Sequence, residues 1–191
     1  MSKRKILGID YGDFSIGLAI FDLETNFIFP YKTIFRAKAN ILRKSIREIV
    51  EIIKIENITD IVIGLPLNAD GTEGDRVEKV KNFAHMLKNG LVNANVVGAN
   101  ANVVGANANV VGANANVVEA NANAVGAKQC EPTRMGELYE PSIYFQDERL
   151  TTVEAKSILV ERGIKKEDWK KTIDQIAAEI ILQDYRQASN G

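Results

Sequence analysis

The chain reads as an α/β fold. Three apolar runs separated by short polar breaks predict a set of hairpin strands. A helical pattern, a buried strand and a second helical pattern follow. After a low-complexity stretch, one more strand leads into two helices.

The first run, Lys5 to Tyr11, is mostly apolar and ends in Asp10-Tyr11-Gly12. Ile16 to Leu23 and Phe27 to Phe35 are the second and third, with Gly12-Asp13 and Glu24-Thr25-Asn26 between them. Ile41, Leu42, Ile46, Ile49, Val50 and Ile53 then recur at helical spacing, with Arg43, Lys44, Arg47, Glu48 and Glu51 opposite. Asp60 to Leu67 (DIVIGLPL) suits a strand covered on both faces. Residues 75 to 88 predict a helix with Val77, Val80, Ala84 and Leu87 inward. Later, Ile143 to Phe145 predicts a strand leading to Asp147-Glu148-Arg149. Thr151 and Glu154 have capping-box spacing for a helix that runs to Arg162 and stops at Gly163. Ile173, Ile176, Ala177, Ile180, Ile181 and Tyr185 mark the last helix. Thr172 could cap it, placing Asp174 in its first turn. A start upstream, near Lys166, is the alternative.

The middle differs in composition. From Val96 the unit VVGANAN recurs every seven residues: 96–102, 103–109, 110–116, then VVEANAN at 117–123. Two Asn and a Gly per unit are poor helix formers, which argues against a coiled coil. A flexible or partly β-prone expansion is the expectation for residues 91–140, inserted into one domain made of 1–90 and 141–191. Lengthening a surface loop from about 6 to about 50 residues costs only about 2 kcal/mol of closure entropy.

Bulk properties bound the function. The chain has 191 residues, 46% hydrophobic and 26% charged, enough for one domain with a real core. A net charge of −1 argues against coating nucleic acid by bulk electrostatics, though a local patch is compatible with it. Cys130 is the sole cysteine, so no intrachain disulfide forms, and it has no His or Cys beside it to build a zinc site. No run approaches the roughly 18 apolar residues of a membrane span. The basic start runs straight into a strand and does not read as a signal peptide. Cytoplasmic location is the expectation.

Four motifs occur in order outside the insert. Gly8-Ile9-Asp10-Tyr11-Gly12 goes with Ile16-Gly17-Leu18-Ala19, and Ile63-Gly64-Leu65-Pro66-Leu67-Asn68 with Asp70-Gly71-Thr72-Glu73-Gly74. Asp147-Glu148-Arg149-Leu150-Thr151-Thr152 is the third, and Asp174 with Ala177-Ala178 and Ile181-Leu182 the fourth. In these the chain resembles the YqgF/RuvX family of pre-16S rRNA nucleases and Holliday junction resolvase-like proteins. The resemblance implies an RNase H-like fold, a five-stranded mixed sheet with helices on both faces. It implies a nuclease using Mg²⁺ or Mn²⁺, with Asp10, Glu148 and Asp174 as catalytic, metal-binding carboxylates. Its substrate would be pre-16S rRNA, or branched DNA. One departure is Asp13-Phe14-Ser15, where the family usually has Thr and a basic residue.

The residues themselves allow this chemistry. Phosphodiester hydrolysis needs an activated water and a stabilised leaving oxygen, and paired divalent ions held by carboxylates supply both. A carboxylate within an apolar strand, as Asp10 is, is costly unless paired or bound to metal. The bland reading is a turn residue before Gly12. Glu148 ends a strand, where α/β sheets place functional groups; Asp147 is its rival. Asp174 alone reads as an ordinary helix acid. Arg149 is a candidate for holding a phosphate or pairing with Glu148, and Asn68 for touching substrate from the loop after DIVIGLPL. Lys38, Arg43, Lys44, Arg47, Lys165, Lys166, Lys170 and Lys171 could meet a nucleic-acid backbone, or merely be solvated. His85 and Trp169 read as structural. A sugar-kinase or actin-like ATPase would need a second phosphate-binding hairpin. A non-catalytic precursor-rRNA-binding protein is the other rival. The oligomeric state is open between monomer and homodimer.

Overall fold

A computed structural model describes residues 4–36, 42–68, 70–106, 141–148 and 151–189. Lys38, Cys130, Arg149 and the repeats from residue 107 onward lie outside them.

The apolar runs become strands β1 (Lys5–Tyr11), β2 (Ser15–Asp22) and β3 (Phe27–Phe35), joined as antiparallel hairpins. Asn26, at φ 54°, adopts the left-handed turn conformation that Asn tolerates. Helix α1 (Leu42–Glu56) then crosses to β4 (Ile58–Leu65), which pairs parallel to β1. Helix α2 (Asp75–Ala106) precedes β5 (Ser142–Asp147), parallel to β4. Helix α3 (Thr151–Glu161) ends at Gly163, whose φ of 66° suits a residue without a Cβ. A 3₁₀ turn at Lys166–Asp168 leads into α4 (Trp169–Ser189). The sheet order is β3-β2-β1-β4-β5, five strands and mixed, as expected.

Side-chain alternation decides which helix covers which face. Leu7, Ile9, Ile61 and Ile63 point to one face and join Ile49, Ile53, Val80, Phe83 and Leu87 of α1 and α2 in the main core. Ile6, Ala19, Phe21 and Val62 point to the other, against Ala178, Ile181 and Leu182 of α4. Helix α3 sits outside α4 through Ala155, Leu159, Ile176, Ala177 and Ile180. Their interface also holds Glu179, buried and gripped by Arg162 at 2.8 and 3.0 Å. Trp169 packs with this cluster and donates to the Ile164 carbonyl at 2.9 Å, a structural role as expected. His85 shares a 3.0 Å hydrogen bond with Asn89 one turn on.

Two boundaries differ from the sequence reading. Helix α2 does not stop near 88, and the domain boundary placed at residue 91 falls inside it. Its apolar stripe continues through Leu91 and Ala94, which pack on the main core, while Gly90 lets the Ile46 side chain approach. Once four packed turns exist, further helix needs no new nucleus, so residues of poor propensity can extend it. Helix α4 starts at Trp169, so Asp174 lies in its second turn, not its first. The upstream start is the one realised, because Trp169 anchors that turn.

Close packing of α4 on the sheet depends on Gly8, where an added Cβ would lie 2.6 Å from Leu182 Cγ and 2.8 Å from the Ala178 carbonyl oxygen. Gly8→Ala is therefore expected to lower stability by about 1–3 kcal/mol, as overpacking does. Urea unfolding followed by circular dichroism measures it; an unchanged midpoint would refute this view of the α4 interface.

Candidate active site

The α4 face of the sheet carries a short transverse row of residues at the C-terminal end of β1. Asp10 on β1 pairs with Gly17 on β2. On its other side the parallel ladder matches Ile9 with Ile63, so Asp10 comes level with Gly64 on β4. The central carboxylate is thus flanked by two residues with no side chain.

Each glycine is occupied from above. A Cβ on Gly17 would fall 1.9 Å from the carbonyl oxygen of Asp174 and 2.8 Å from its Cβ. A Cβ on Gly64 would fall 2.0 Å from Oε2 of Glu148. Helix α4 rests Asp174 against β2, and Thr33 on β3 fixes the start of that helix by donating to the Lys171 carbonyl at 2.7 Å. Glu148 follows β5, and its amide donates to the Leu65 carbonyl at 3.2 Å, holding it at the end of β4. The three expected carboxylates, far apart in sequence, therefore share one end of one face.

Their electrostatics are those of crowded acids. Burial, then the charge of Asp174, pushes the Asp10 carboxyl up to about 7. Burial, then the charge of Asp10, pushes Glu148 up to about 8, with Asp147 adding to the rise. Asp147 thus acts as a neighbour of the site. Arg76, in the first turn of α2, opposes both shifts and is a cation of the site among the described residues. It was missed in the sequence because an exposed arginine in a helix looks like any solvated charge. The only available signal was its position two residues after the Gly74 that closes the β4–α2 loop.

Asn68 is placed in that loop. Its side-chain amide donates to the Thr72 hydroxyl at 2.9 Å, and its backbone pairs with Thr72 and Gly71. Asp70 is tied by the Thr72 hydroxyl and amide, which hold its carboxyl below the usual range. Glu73 is paired with Lys81 at 2.7 Å. The unusual Asp13 does not add a loose negative charge: Lys79 of α2 binds both of its oxygens at 3.1 Å. A second missed residue is Arg36, which is buried. It donates to the Gly12 carbonyl and stands 4.8 Å over the Tyr11 ring, bracing the residues that follow Asp10.

Oxygen donors that repel one another suit a hard divalent cation, which offsets the repulsion. Among the described residues, no three of His, Cys, Asp and Glu form a ready-made ligand group. The coupling runs instead in two pairs that share Asp10, namely Asp10 with Asp174 and Asp10 with Glu148. Mg²⁺ typically takes only one or two carboxylates and keeps several waters, so the donor set fits.

The fold, and carboxylates at this end of its sheet, define the chain as RNase H-like. The family model described as "RuvX: Holliday junction resolvase" matches residues 4–125 and 92–188, two matches that overlap within the repeat region. The chain belongs to the RuvX family, and so to the nucleases that hydrolyse phosphodiester bonds. It is 31% identical over 181 residues to a protein of Carboxydothermus hydrogenoformans, covering 95% of this chain and 94% of that one. With a protein of Lachnospira eligens it is 29% identical over 184 residues, 96% and 97% of the two chains. A third similarity, 42% over 90 residues, is to a protein of Orientia tsutsugamushi, covering 47% and 55%. All three carry the name "Putative pre-16S rRNA nuclease".

The raised carboxyls have a consequence for stability. Asp10 and Glu148 start from 3.8 and 4.5 and reach about 7 and about 8 in the fold. Between those limits the folded state holds protons that the unfolded state has lost. Stability of the metal-free protein must then fall as pH rises from about 4 to about 8. Asp10→Asn removes the central charge and is expected to stabilise the metal-free protein at pH 8 by about 1–2 kcal/mol, with little gain near pH 4. Thermal melts in EDTA across that range test it. A variant less stable than wild type at pH 8 would contradict the electrostatic account.

Proposed function

We propose that the chain is a metal-dependent endonuclease that acts in maturing the 5′ end of pre-16S rRNA. The observation that carries the chemistry is the row Gly17–Asp10–Gly64, on which Asp174 and Glu148 converge with Asp10. The substrate class rests on the names of the relatives. The alternative, a four-way DNA junction, rests on the description of the family.

Asp10, Glu148 and Asp174 would hold Mg²⁺ or Mn²⁺. When bound, such an ion supplies Lewis acidity to the phosphodiester and makes a neighbouring water more acidic. To hold such an ion Asp10 and Glu148, with carboxyls raised to about 7 and about 8, would have to be free of their protons, so binding would tighten as pH rises. The charge of Arg76 acts on both and can meet the negative charge that develops on the phosphoryl oxygens. The Asn68–Thr72 hydrogen bond shapes the β4–α2 loop, and that loop delivers Arg76 to the site. No helix among the described residues is long and apolar enough to cross a membrane. Work on precursor rRNA would place the chain in the cytoplasm.

Cleavage of a precursor 16S rRNA end fragment and of a four-way DNA junction, in Mg²⁺, Mn²⁺ or EDTA, tests the reading. Wild type is expected to cut the RNA only with metal. Asp10→Asn, which alters a proposed ligand itself, should lose on the order of a hundredfold or more, beyond the roughly 10- to 100-fold that disturbing a ligand's outer-shell partners typically costs. Preferred cutting of the junction would move the substrate to DNA. Cutting that persists in EDTA or survives Asp10→Asn would defeat the proposed mechanism, and no cutting at all would favour a binding protein.

A further inference from the structure

The two edges of the sheet are built differently. In the order β3-β2-β1-β4-β5, strands β3 and β5 each have one side with no neighbouring strand among the described residues. An open edge invites another strand, and proteins blunt it with proline, charge or a bulge. Strand β3 has all three: Pro30, Lys32 and a register shift that passes over Tyr31. Strand β5 has none of them between Ser142 and Gln146, and it pairs with β4 in unbroken register.

That register also fixes the side-chain directions. Tyr144 pairs with Val62 and meets the Tyr185 ring at 5.7 Å, so it lies on the α4 face. Ile143 and Phe145 pair with Ile61 and Ile63, so they lie on the face covered by α1 and α2. Tyr144 is 41% exposed and Phe145 44%, one ring on each face. On the α2 side, Ile143 and Phe145 line a cleft of about 590 Å³ together with Ala84, His85 and Lys88.

A second β5 is complementary to this edge. Two copies can run antiparallel about a two-fold axis normal to the sheet, which keeps each face on its own side. Opposed residues must then share a face, so odd numbers meet odd and even meet even. With Tyr144 at the centre, Tyr144 meets its own copy, Ile143 meets Phe145 and Ser142 meets Gln146. Each Phe145 ring then comes to the cleft beside the partner's Ile143. No charge enters this window. Pro141, with no N–H to give, closes it opposite Asp147. With Phe145 at the centre, Asp147 would instead oppose Ile143, an acid against an apolar side chain.

We infer that β5 is a self-association edge, to which a second copy of the chain adds its own β5, antiparallel and centred on Tyr144, to form one ten-stranded sheet. Both sets of carboxylates then fall on the same face of that sheet. Asp10 on β1 and its copy stand five strand spacings apart, roughly 25 Å across the strands. The inference is independent of the nuclease reading.

One short strand from each copy is small beside a standard interface of roughly 1,600 Å², so the dimer is expected to be weak. Sedimentation velocity of the full chain, from about 10 to about 500 μM, covers the range of weak association. Wild type is expected to pass from monomer to dimer across it. Tyr144→Lys and Tyr144→Glu each set like charges directly opposite one another, and each is expected to weaken association about tenfold or more. An equal mixture of the two variants should recover it, because Lys then meets Glu at the centre. Circular dichroism checks that both variants fold, and recovery in the mixture is something that misfolded variants would not give. Wild type that stays monomeric at the highest concentration overturns the inference and leaves the edge to a different chain. Association that both variants keep, or that the mixture fails to restore, overturns it as well.

Discussion

The site depends on two missing side chains. Gly17 and Gly64 stand on either side of Asp10 in neighbouring strands, and their empty positions admit the Asp174 backbone from one side and the Glu148 carboxylate from the other. Any larger residue at Gly17 would strike main chain, which gives way only if α4 moves. At Gly64 it would strike the end of a longer side chain, displacing a charge and sparing most of the backbone. The fold tolerates the resulting crowd of acids because part of the charge is held off by protons and part is opposed by Arg76. On the proposed reading a divalent cation would replace the protons at a higher pH, and the same crowding that strains the metal-free protein would then supply affinity for metal.

This arrangement explains why α4 packs so closely. A helix standing at the usual distance from a sheet would leave Asp174 out of reach of Asp10. Gly8 and Gly17 bring it near, Thr33 fixes its start, and the Ala178, Ile181 and Leu182 contacts hold its length. Helices α1 and α2 carry the larger core on the opposite face and leave the α4 face free for chemistry. Arg76 belongs to that opposite layer, and it reaches the site because α2 begins at the end of β4 next to it.

Much of the fold was legible because it rests on local patterns. The strands alternate or run apolar, the hairpins carry polar breaks, and the helices show an apolar stripe. Asp10 stood out because an acid inside an apolar run has few inexpensive explanations. The motif that includes Gly64 was visible, yet the purpose of that glycine was not, since the Glu148 carboxyl that sits above it comes just after β5, more than eighty residues later. Asp174 could not be told from a common helix acid until α4 was laid on Gly17. Arg76 and Arg36 went unread for the same reason: their partners are set by tertiary contacts. The extent of α2 was underestimated because Leu91 and Ala94 continue a stripe that the Asn- and Gly-rich composition obscures.

The most direct test of the account is the Mn²⁺ affinity of Gly64→Ala, measured by calorimetric titration on protein whose fold is checked by circular dichroism. If the empty position is what seats Glu148 beside Asp10, the variant stays folded and binds Mn²⁺ about tenfold or more weakly, the scale on which disturbed metal shells respond. A folded Gly64→Ala protein that binds Mn²⁺ as tightly as wild type would contradict the account, since the carboxylates would then assemble without the gap.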